Sequence, residues 1–388
     1  GLRTEKGFAI TGVKAYLNKD KKENASLALL GELDALRIPE HAFANPETNA
    51  AHCCGHHAQM AGIFGAALAL TVPEIAEKLG GQVVFFATPA EEYGEIEFKN
   101  QLREQGKIRY GGGKCELIRT GAFDDIDLCL AHHIQPGDEI QVGSGTGNGF
   151  VSKVIRYLGK AAHAAGAPDK GVNALSAASL GLQALGLNRE TFRDEDCVRV
   201  HPIITKGGNL VNVIPDEIVI ETLVRAKTIE AFTDAAKKTD RSFQAGAVAM
   251  GAKVEITTLP GYLPTLAEQA LPELKRAAEL AAPEVPVREA AGHSGGSTDV
   301  GDVQHLMPVY TFNTGGVKGG LHQINFEVTN EEEAYIDTAK MFALAAYGLL
   351  KEKAARSKEL VKNYKPVFKD SAEYTKFMEQ FDSKEVLD

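Results

Sequence analysis

Short apolar runs alternate with longer helix-like stretches along the first part of the chain, and this alternation constrains the fold more than any other feature. The runs are Leu27–Leu30, Val83–Ala87, Ile126–Leu130 and, much later, Pro308–Phe312. Strands of a parallel sheet have this composition because helices cover both of their faces. A stretch rich in Ala, Met, Leu and Ile follows the first run, over about His57–Leu79. The pattern predicts an α/β protein with a mainly parallel sheet.

The pattern changes between about Phe150 and Pro260. Strand-like Val151–Leu158 precedes helix-like Val172–Leu187, and an alternating strand over Ile218–Val224 precedes helix-like Ile229–Met250. This segment is typical of a smaller α+β domain inserted into the larger one. Parallel-sheet patterning resumes after it.

The length of 388 residues also favours more than one domain, since a domain averages roughly 150 residues. We predict a discontinuous larger domain over 1–147 and 261–350, an inserted domain over 148–260 and a C-terminal extension over 351–388, expected to be a peripheral helix. Thr329 and Glu332 have the spacing of a capping box, so a long helix is predicted to begin at Thr329.

The composition disfavours several classes of protein. There are 42 basic and 52 acidic residues, a net charge of −10, which argues against binding to a phosphate backbone. No apolar run reaches the roughly 18–20 residues of a membrane span, and the first residues do not resemble a secretory signal. We therefore expect a cytoplasmic protein with a small-molecule substrate and neither a nucleic-acid nor a membrane partner. Five cysteines, two of them adjacent, do not suggest a disulfide framework.

Polar residues follow each of the four apolar runs. The clusters are Glu32–Asp34, Glu91–Glu92, His132–His133 and, after a glycine-rich loop, His322. The carboxyl ends of parallel strands form the usual ligand crevice of an open sheet. Any one cluster is readily explained as a solvated loop, but four together predict a site at one edge of the sheet.

The most specific local signal is His52–His57, with the sequence His-Cys-Cys-Gly-His-His, just before a predicted helix. A thiolate at Cys54 and an imidazole at His56 can bind one transition metal ion if the loop is extended. The alternative is a buried cysteine beside a histidine that caps the helix.

The candidate ligands are too many for one tetrahedral ion and suit two. They comprise one thiolate, three imidazoles and a carboxylate: Cys54, His56, Glu92, His133 and His322. Two-metal hydrolases hold their ions about 3.5–4 Å apart to polarise a carbonyl and activate a water. Glu91 is then a candidate general base, although an acidic helix N-terminus would also explain the Glu91–Glu92 pair. Asp34 is either a group that orients a ligand histidine or a turn former.

The motifs, in their order, resemble the aminoacylase-type metallopeptidases. They are Glu32–Leu36, His52–His56, Pro89–Glu92, Gly159–Ala165, Asn212–Pro215 and Gly320–His322. The sequence is most similar to the amidohydrolase branch that contains aminobenzoyl-glutamate hydrolase, hippurate hydrolase and the indole-acetyl-amino-acid hydrolases. Ser297–Asp302 and the double histidine after Gly55 resemble the aminobenzoyl-glutamate hydrolase subgroup. The resemblance covers roughly Gly7 to Leu350.

The resemblance implies a fold and a metal site. The larger domain becomes a mainly parallel, phosphorylase/hydrolase-like catalytic domain, and the insertion becomes a ferredoxin-like α+β lid that mediates dimerisation, so a homodimer is expected. Two divalent ions, manganese or zinc, are implied, and Glu91 matches the catalytic base. The positions that match metal ligands are Cys54, His56, Glu92, His133 and His322, where His133 is preferred to His132 from its offset to Pro136.

The resemblance also implies roles for residues of the inserted domain. His163 matches a histidine that reaches the substrate carbonyl from the partner subunit, although a loop histidine is the alternative. Asn212 and Arg225 match positions associated with substrate binding, and a structural salt bridge is equally expected for Arg225. The chain departs from many relatives at His57, where they have an acidic residue. Gly7–Val13 resembles an internal strand region, so an N-terminal helix of the family is expected to be absent.

The expected function is that of a metal-dependent amidohydrolase. It would cleave the amide bond of N-acyl or aminobenzoyl amino acids, such as aminobenzoyl-glutamate, with metal-activated water and Glu91 as general base. A dipeptidase or aminopeptidase with the same site is the nearest alternative. A binding or regulatory protein that keeps the fold without the chemistry is the alternative from another class.

Overall fold

A computed structural model describes residues 2–388, which form two compact units. The first unit comprises the residues up to Thr146 together with Thr265–His293 and Asp299–Thr375. The second comprises Gly147–Pro264, Ser294–Thr298 and Lys376–Asp388. The middle of the chain is thus a folded body of its own.

The first unit contains an eight-stranded sheet. Its strands, in spatial order, are Arg3–Phe8, Gly12–Leu17, Gln82–Thr88, Ser26–Glu32, Leu128–Ile134, Val309–Thr314, Ile140–Val142 and Val287–Glu289. The four central strands run parallel to one another, whereas both edges of the sheet include antiparallel pairs. Short strands pair outside this sheet, Leu36–Arg37 with Ala50–Ala51 and Val317–Lys318 with Glu327–Val328.

Helices cover the faces of this sheet. The helices of the first unit are His56–Leu70, Pro73–Ala76, Ile96–Glu104, Gly113–Arg119, Pro272–Ala281, Val300–Gln304, Thr338–Asn363 and Ser371–Met378, of which the last continues into the second unit. All seven residues of Ser26–Glu32 and of Gln82–Thr88 are buried. Both strands therefore have helices or loops on each face, which explains their continuous apolar composition.

The second unit contains a six-stranded antiparallel sheet. The strands Arg199–Val200, Glu217–Ala226, Gly149–Leu158, Lys253–Tyr262 and Ser383–Leu387 lie in this order, and Ile203–Lys206 also pairs with the second of them. Residues alternate between buried and half-buried along Glu217–Ala226, because helices Ala174–Asn188 and Ile229–Met250 cover one face only. A mainly parallel sheet with a separate antiparallel sheet confirms the predicted fold class.

The long C-terminal helix begins later than its capping-box spacing predicts. A π-helical turn spans Glu332–Asp337 and leads into Thr338–Asn363. Thr329 is held instead by Gly316, whose carbonyl accepts a hydrogen bond from the Thr329 N–H at 2.9 Å. The tail also differs from a peripheral helix, since Tyr374 is fully buried and Ser383–Leu387 is a strand.

No helix in the part of the chain that the structure describes combines the length and the apolar character needed to cross a membrane.

Candidate metal centre

Three parallel neighbours in the first sheet bring the predicted clusters to one edge. Gln82–Thr88 pairs with Ser26–Glu32, which pairs with Leu128–Ile134. Parallel strands end on the same side of a sheet. Glu32 is the last residue of its strand, Glu91 follows Gln82–Thr88, and His133 lies near the end of Leu128–Ile134, so the three residues share one crevice.

The loop before helix His56–Leu70 depends on a glycine. Gly55 has φ of 83°, and a Cβ atom on it would lie 2.0 Å from Cγ2 of Ile134. Only glycine fits this close approach in a left-handed conformation. The resulting turn places Cys54 and His56 on the side of the crevice, where Cys54 Sγ lies 3.4 Å from His133 Nε2.

His322 reaches the same crevice from the loop after the fourth predicted run. Its backbone is left-handed, with φ of 63°, and its N–H donates to the carbonyl of Cys53 at 2.9 Å. Its Nε2 atom lies 3.2 Å from Cys54 Sγ and 3.3 Å from Oε1 of Glu92. The five predicted ligands therefore meet.

Two of the imidazoles are oriented by backbone carbonyls. His56 Nδ1 donates to the carbonyl of Asp34 at 3.0 Å, and His133 Nδ1 donates to the carbonyl of Ile134 at 2.7 Å. A ring that donates from Nδ1 presents the lone pair of Nε2, which is the form that binds a metal ion.

The donor atoms group around Cys54. The Cys54 sulfur belongs to two sets of possible ligands, one with His56 and His133 and the other with Glu92 and His322. Within each set, the donor atoms lie within 4.8 Å of one another. Nε2 of His56 and Oε1 of Glu92 are buried and have no aligned hydrogen-bond partner, although Glu32 Oε2 lies 3.1 Å from His56 Nε2. Buried, unsatisfied atoms of soft and borderline ligands fit a site for transition-metal ions.

The strand alternation separates the two adjacent histidines. His132 points into the core, where its Nε2 lies 2.8 Å from Oγ1 of Thr314 and its ring centre lies 4.9 Å from that of Phe312. His133 faces the crevice instead. His57 also packs away from the donors, with its ring edge toward Phe326 and Tyr335, and burial lowers its pKa to about 4.

Asp34 supports both sides of the crevice. Its Oδ2 accepts a hydrogen bond from the backbone N–H of Glu92 at 2.9 Å, and its Oδ1 lies 3.5 Å from His56 Nδ1. Burial raises the pKa of Asp34, but hydrogen bonds from the His56 ring and from the backbone of Glu92 and Glu91 outweigh burial, and the net shift is downward. Asp34 is thus an ionised carboxylate that positions a ligand histidine.

A buried ion cluster that the sequence patterns did not indicate lies behind the donors. The ammonium of Lys114 lies 2.5 Å from Oε1 of Glu32 and 2.6 Å from Oδ1 of Asp299. Glu32 Oε2 accepts from Gln59 Nε2 at 2.8 Å. Asp299 lies in Ser297–Asp302 and Glu32 in Glu32–Leu36, two segments singled out by resemblance, but nothing in the local pattern around Lys114 indicates a buried cation.

Glu91 shares an environment with this cluster. One of its carboxylate oxygens lies within 4.8 Å of donor atoms of Glu32 and His56. Burial raises the pKa of Glu91 well above its usual value of 4.5, and the charges of Glu32 and Asp299 raise it further. A carboxylate with a raised pKa binds a proton more readily at neutral pH.

The remaining predicted residues lie in the second unit. His163 is exposed, and its Nδ1 accepts a hydrogen bond from Gly166 N–H at 3.0 Å. Asn212 is its neighbour, because its carbonyl accepts from the N–H of Ala164 at 3.0 Å. Arg225 pairs with Phe150 at the far end of the strand that leads to His163, so the structure does not bring Arg225 together with the other two. Its guanidinium lies 5.4 Å from the centre of the Phe150 ring.

Comparison with known proteins supplies the family. The model of peptidase family M20/M25/M40 matches residues 28–347. The chain belongs to this family. The membership expected from the motifs is confirmed, and the protein is an M20-type hydrolase.

Individual relatives of this M20 chain differ in substrate. It is 28% identical over 325 residues to the Xaa-Arg dipeptidase of Mus musculus, a match that covers 81% of this chain and 67% of the relative. It is 26% identical over 288 residues to the indole-3-acetyl-aspartic acid hydrolase of Enterobacter agglomerans, covering 69% of this chain and 61% of that protein. A solved dinuclear metal binding peptidase of the M20 family from Bacillus subtilis has a TM-score of 0.59 at 23% identity, with 90% of this chain and 88% of that chain covered. That similarity shows the fold.

Proposed function

We propose that this protein is a metal-dependent amidohydrolase that cleaves the amide bond of N-acyl or aminobenzoyl amino acids, such as aminobenzoyl-glutamate. One observation carries the proposal. The Nδ1 atoms of His56 and His133 donate to backbone carbonyls, so each ring presents the lone pair of its Nε2 atom. Nε2 of His133 lies 3.4 Å from Sγ of Cys54, and Nε2 of His56 lies 4.0 Å from Oε1 of Glu92. This is a prepared set of metal donors beside an acid with a raised pKa.

Two divalent cations, manganese or zinc, would be held by Cys54, His56, Glu92, His133 and His322. When bound, they would polarise the amide carbonyl as Lewis acids and make a bound water more acidic. Asp34 keeps His56 and the backbone of Glu92 in place through the contacts described above. Neutral imidazole at His133 is favoured because burial lowers its pKa.

Glu91 carries the proton in the proposed mechanism. It accepts one from the water that adds to the carbonyl carbon, and it donates that proton to the nitrogen as the C–N bond breaks. The products are a carboxylate and an amine. Burial and the adjacent charges of Glu32 and Asp299, which raise the pKa of Glu91, suit a group that must hold the proton between these two steps.

His163 and Asn212, two exposed residues that lie close together, are proposed as substrate-binding residues on family resemblance. Family resemblance favours a homodimer in which His163 serves the site of the partner subunit. Arg225 is proposed as a substrate-binding residue on resemblance alone; its guanidinium lies near the Phe150 ring and donates a hydrogen bond to Oγ of Ser297 at 3.2 Å.

The variant Glu91→Gln tests the mechanism. The metal content of the purified variant should match that of the wild type, and turnover of aminobenzoyl-glutamate should fall by about 10²- to 10⁴-fold, the usual range for a lost general base. Glu97→Gln, on an exposed residue a few positions away, is the matched control and should retain full activity. Wild-type turnover in Glu91→Gln would contradict the mechanism.

A metallo-dipeptidase is the second candidate, favoured by the similarity to an Xaa-Arg dipeptidase. A panel that contains N-acyl amino acids, aminobenzoyl-glutamate and free dipeptides, some ending in arginine, separates the candidates by their kcat/KM values. Higher values for the dipeptides would replace the first proposal with the second.

A further inference from the structure

A cavity of about 720 Å³ in the first unit borders Glu92, one of the candidate metal ligands. Asp34 and Glu92 form part of its wall, together with Pro89 and Ala90 from the turn before the catalytic pair. Apolar side chains line much of the remainder: Ile10, Leu33, Leu36, Phe98, Leu102 and Ile108. A substrate group placed here would lie next to the bond that is cleaved.

One wall of the cavity is built from the segment that directly follows Glu92. Helix Ile96–Glu104 contributes Phe98, Lys99 and Leu102. Tyr93 anchors the start of the segment, since it is only 4% exposed, and its ring closely approaches Gly111, where a Cβ atom would lie 2.8 Å from the ring. The start of the wall is therefore held in place by packing.

Lys99 is the unusual residue of this wall. Its ammonium lies 4.9 Å from the centre of the Tyr93 ring, and it makes no hydrogen bond or ion pair with any other residue that the structure describes. Burial lowers its pKa to about 8, against the opposing effect of Asp34 and other carboxylates. A lysine that is largely shielded from water and lacks a bonded anion is rare in protein structures.

The acidic residues of the cavity do not neutralise Lys99 by direct contact. Glu116 is held by the guanidinium of Arg119 at 2.6 and 2.8 Å. Asp34 accepts from the backbone of Glu92, and Glu92 faces His322. Glu95, an exposed residue, also lines the cavity, as do Arg37 and Lys107.

We propose that this cavity binds a substrate carboxylate and that Lys99 is its counter-ion, so that acidic substrates are preferred to basic ones. This inference rests on the proposed function. It names the substrate class as amides of acidic amino acids, with the apolar wall covering the methylene groups between the amide and the carboxylate. A substrate that ends in arginine would place a second cation against Lys99 and bind poorly.

Such a substrate carries two carboxylates, and the proposed preference requires that Lys99 bind the one on the side chain, because every amino acid has an α-carboxylate. Three probes distinguish them: N-acetylglutamate, N-acetylglutamine, which lacks the side-chain charge, and N-acetylisoglutamine, which lacks the α-charge. The KM for N-acetylglutamine should no longer respond to substitution of Lys99, whereas loss of the response for N-acetylisoglutamine instead would assign Lys99 to the α-carboxylate and overturn the preference.

The test uses the metal-loaded full chain and the variants Lys99→Met, Lys99→Arg and Lys99→Glu. Lys99→Met should raise KM for N-acetylglutamate by about 10- to 100-fold, the usual cost of a lost charge-assisted hydrogen bond, with kcat within about twofold of the wild type. Lys99→Arg should restore most of the affinity, and Lys99→Glu should shift the preference toward N-acetylarginine. Lys78→Met, at an exposed lysine outside the cavity, should change neither constant.

Binding of glutarate, measured by calorimetry without turnover, separates this inference from the proposed function. If no probe is hydrolysed but glutarate binds and Lys99→Met abolishes binding, the proposed function fails and the carboxylate site stands. If N-acetylglutamate is hydrolysed with the same KM by the wild type and Lys99→Met, or if glutarate binding is unchanged in Lys99→Met, the assignment of Lys99 is overturned.

Discussion

The ammonium of Lys114 lies 2.6 Å from Oδ1 of Asp299, and neither side chain is exposed to solvent. Asp299 Oδ2 also accepts a hydrogen bond from the backbone N–H of Lys114 at 2.8 Å, so one carboxylate binds the same residue twice. The pair fixes the first turn of helix Gly113–Arg119 and presents the lysine to Glu32. A charged triad of this kind couples the helix to the strand end that precedes Asp34.

The first prediction concerns this lysine. Lys114→Met should lower the free energy of unfolding by about 3–5 kcal/mol, because it leaves Glu32 and Asp299 buried without a counter-ion. Urea denaturation of the metal-free chain measures the effect. The double variant Lys114→Met/Asp299→Asn should recover part of the loss, since it removes one of the two unpaired charges. An unchanged midpoint in Lys114→Met would show that the cluster does not stabilise the fold.

The adjacent histidines should separate metal binding from stability. His133→Ala is expected to lose bound metal with little change in the stability of the metal-free chain, because its ring faces the crevice. His132→Ala should keep the metal but lower the free energy of unfolding by about 2–5 kcal/mol through the cavity left in the core. Elemental analysis and urea denaturation of the two variants provide both readouts. The reverse pattern would assign the ligand to His132.

Gly55 should be intolerant of even one added carbon. Gly55→Ala places a Cβ atom against Ile134 and forces a left-handed backbone on an L-residue, for an expected cost of about 1–3 kcal/mol from overpacking and about 1–2 kcal/mol from the backbone. Metal affinity should fall as well, because the turn orients Cys54 and His56. Gly186→Ala is the control, since its Cβ would meet nothing within 4 Å and an alanine in a helix is favourable. Equal effects of the two substitutions would contradict this account.

The stability of the chain should depend on pH through Glu268, which lies far in sequence from the donors. Oε1 of Glu268 accepts from Thr311 N–H at 3.0 Å, whereas Oε2 is buried without an aligned partner. Burial raises its pKa well above the usual 4.5. The folded chain therefore holds a proton that the unfolded chain releases, and this contribution to stability is full below pH 4.5 and is lost as the pH rises through the higher folded value.

Glu268→Gln, which is neutral at every pH, provides the comparison. Relative to this variant, the wild type should become less stable between pH 4.5 and pH 8, as measured by the urea midpoint at several pH values. Glu284→Gln, on an exposed residue with no hydrogen bond among those described, should follow the wild type. A constant difference between the wild type and Glu268→Gln across this range would exclude Glu268 as the cause.

The donor set could be predicted from the sequence because it depends on short-range rules. Cys54 and His56 are separated by one glycine, and Glu92 and His133 lie near the ends of apolar strands that must share an edge. The triad could not be predicted in this way, because Lys114 meets Glu32 across 82 residues and Asp299 across 185. A lysine is expected at the surface, and only the tertiary fold supplies the two carboxylates that allow its burial.

Two local predictions failed or fell short for similar reasons. Thr329 and Glu332 have the spacing of a capping box, but the Thr329 N–H donates to the carbonyl of Gly316 instead. This contact joins residues far apart in sequence, so a local motif does not predict it. Ser383–Leu387 contains charges and few apolar residues, yet it forms a strand because Lys253–Tyr262 offers an unpaired edge.

The alternation of strand Leu128–Ile134 has a consequence for comparing sequences within the family. Consecutive residues of a strand face opposite sides, so a shift of one position in its pairing with Val309–Thr314 would exchange the two histidines, moving one into the core and the other to the crevice. The letters of the motif would be identical in both cases. A histidine pair at this point in a relative therefore identifies the ligand only when the length of the preceding turn, from Thr120 to Asp127, is also the same.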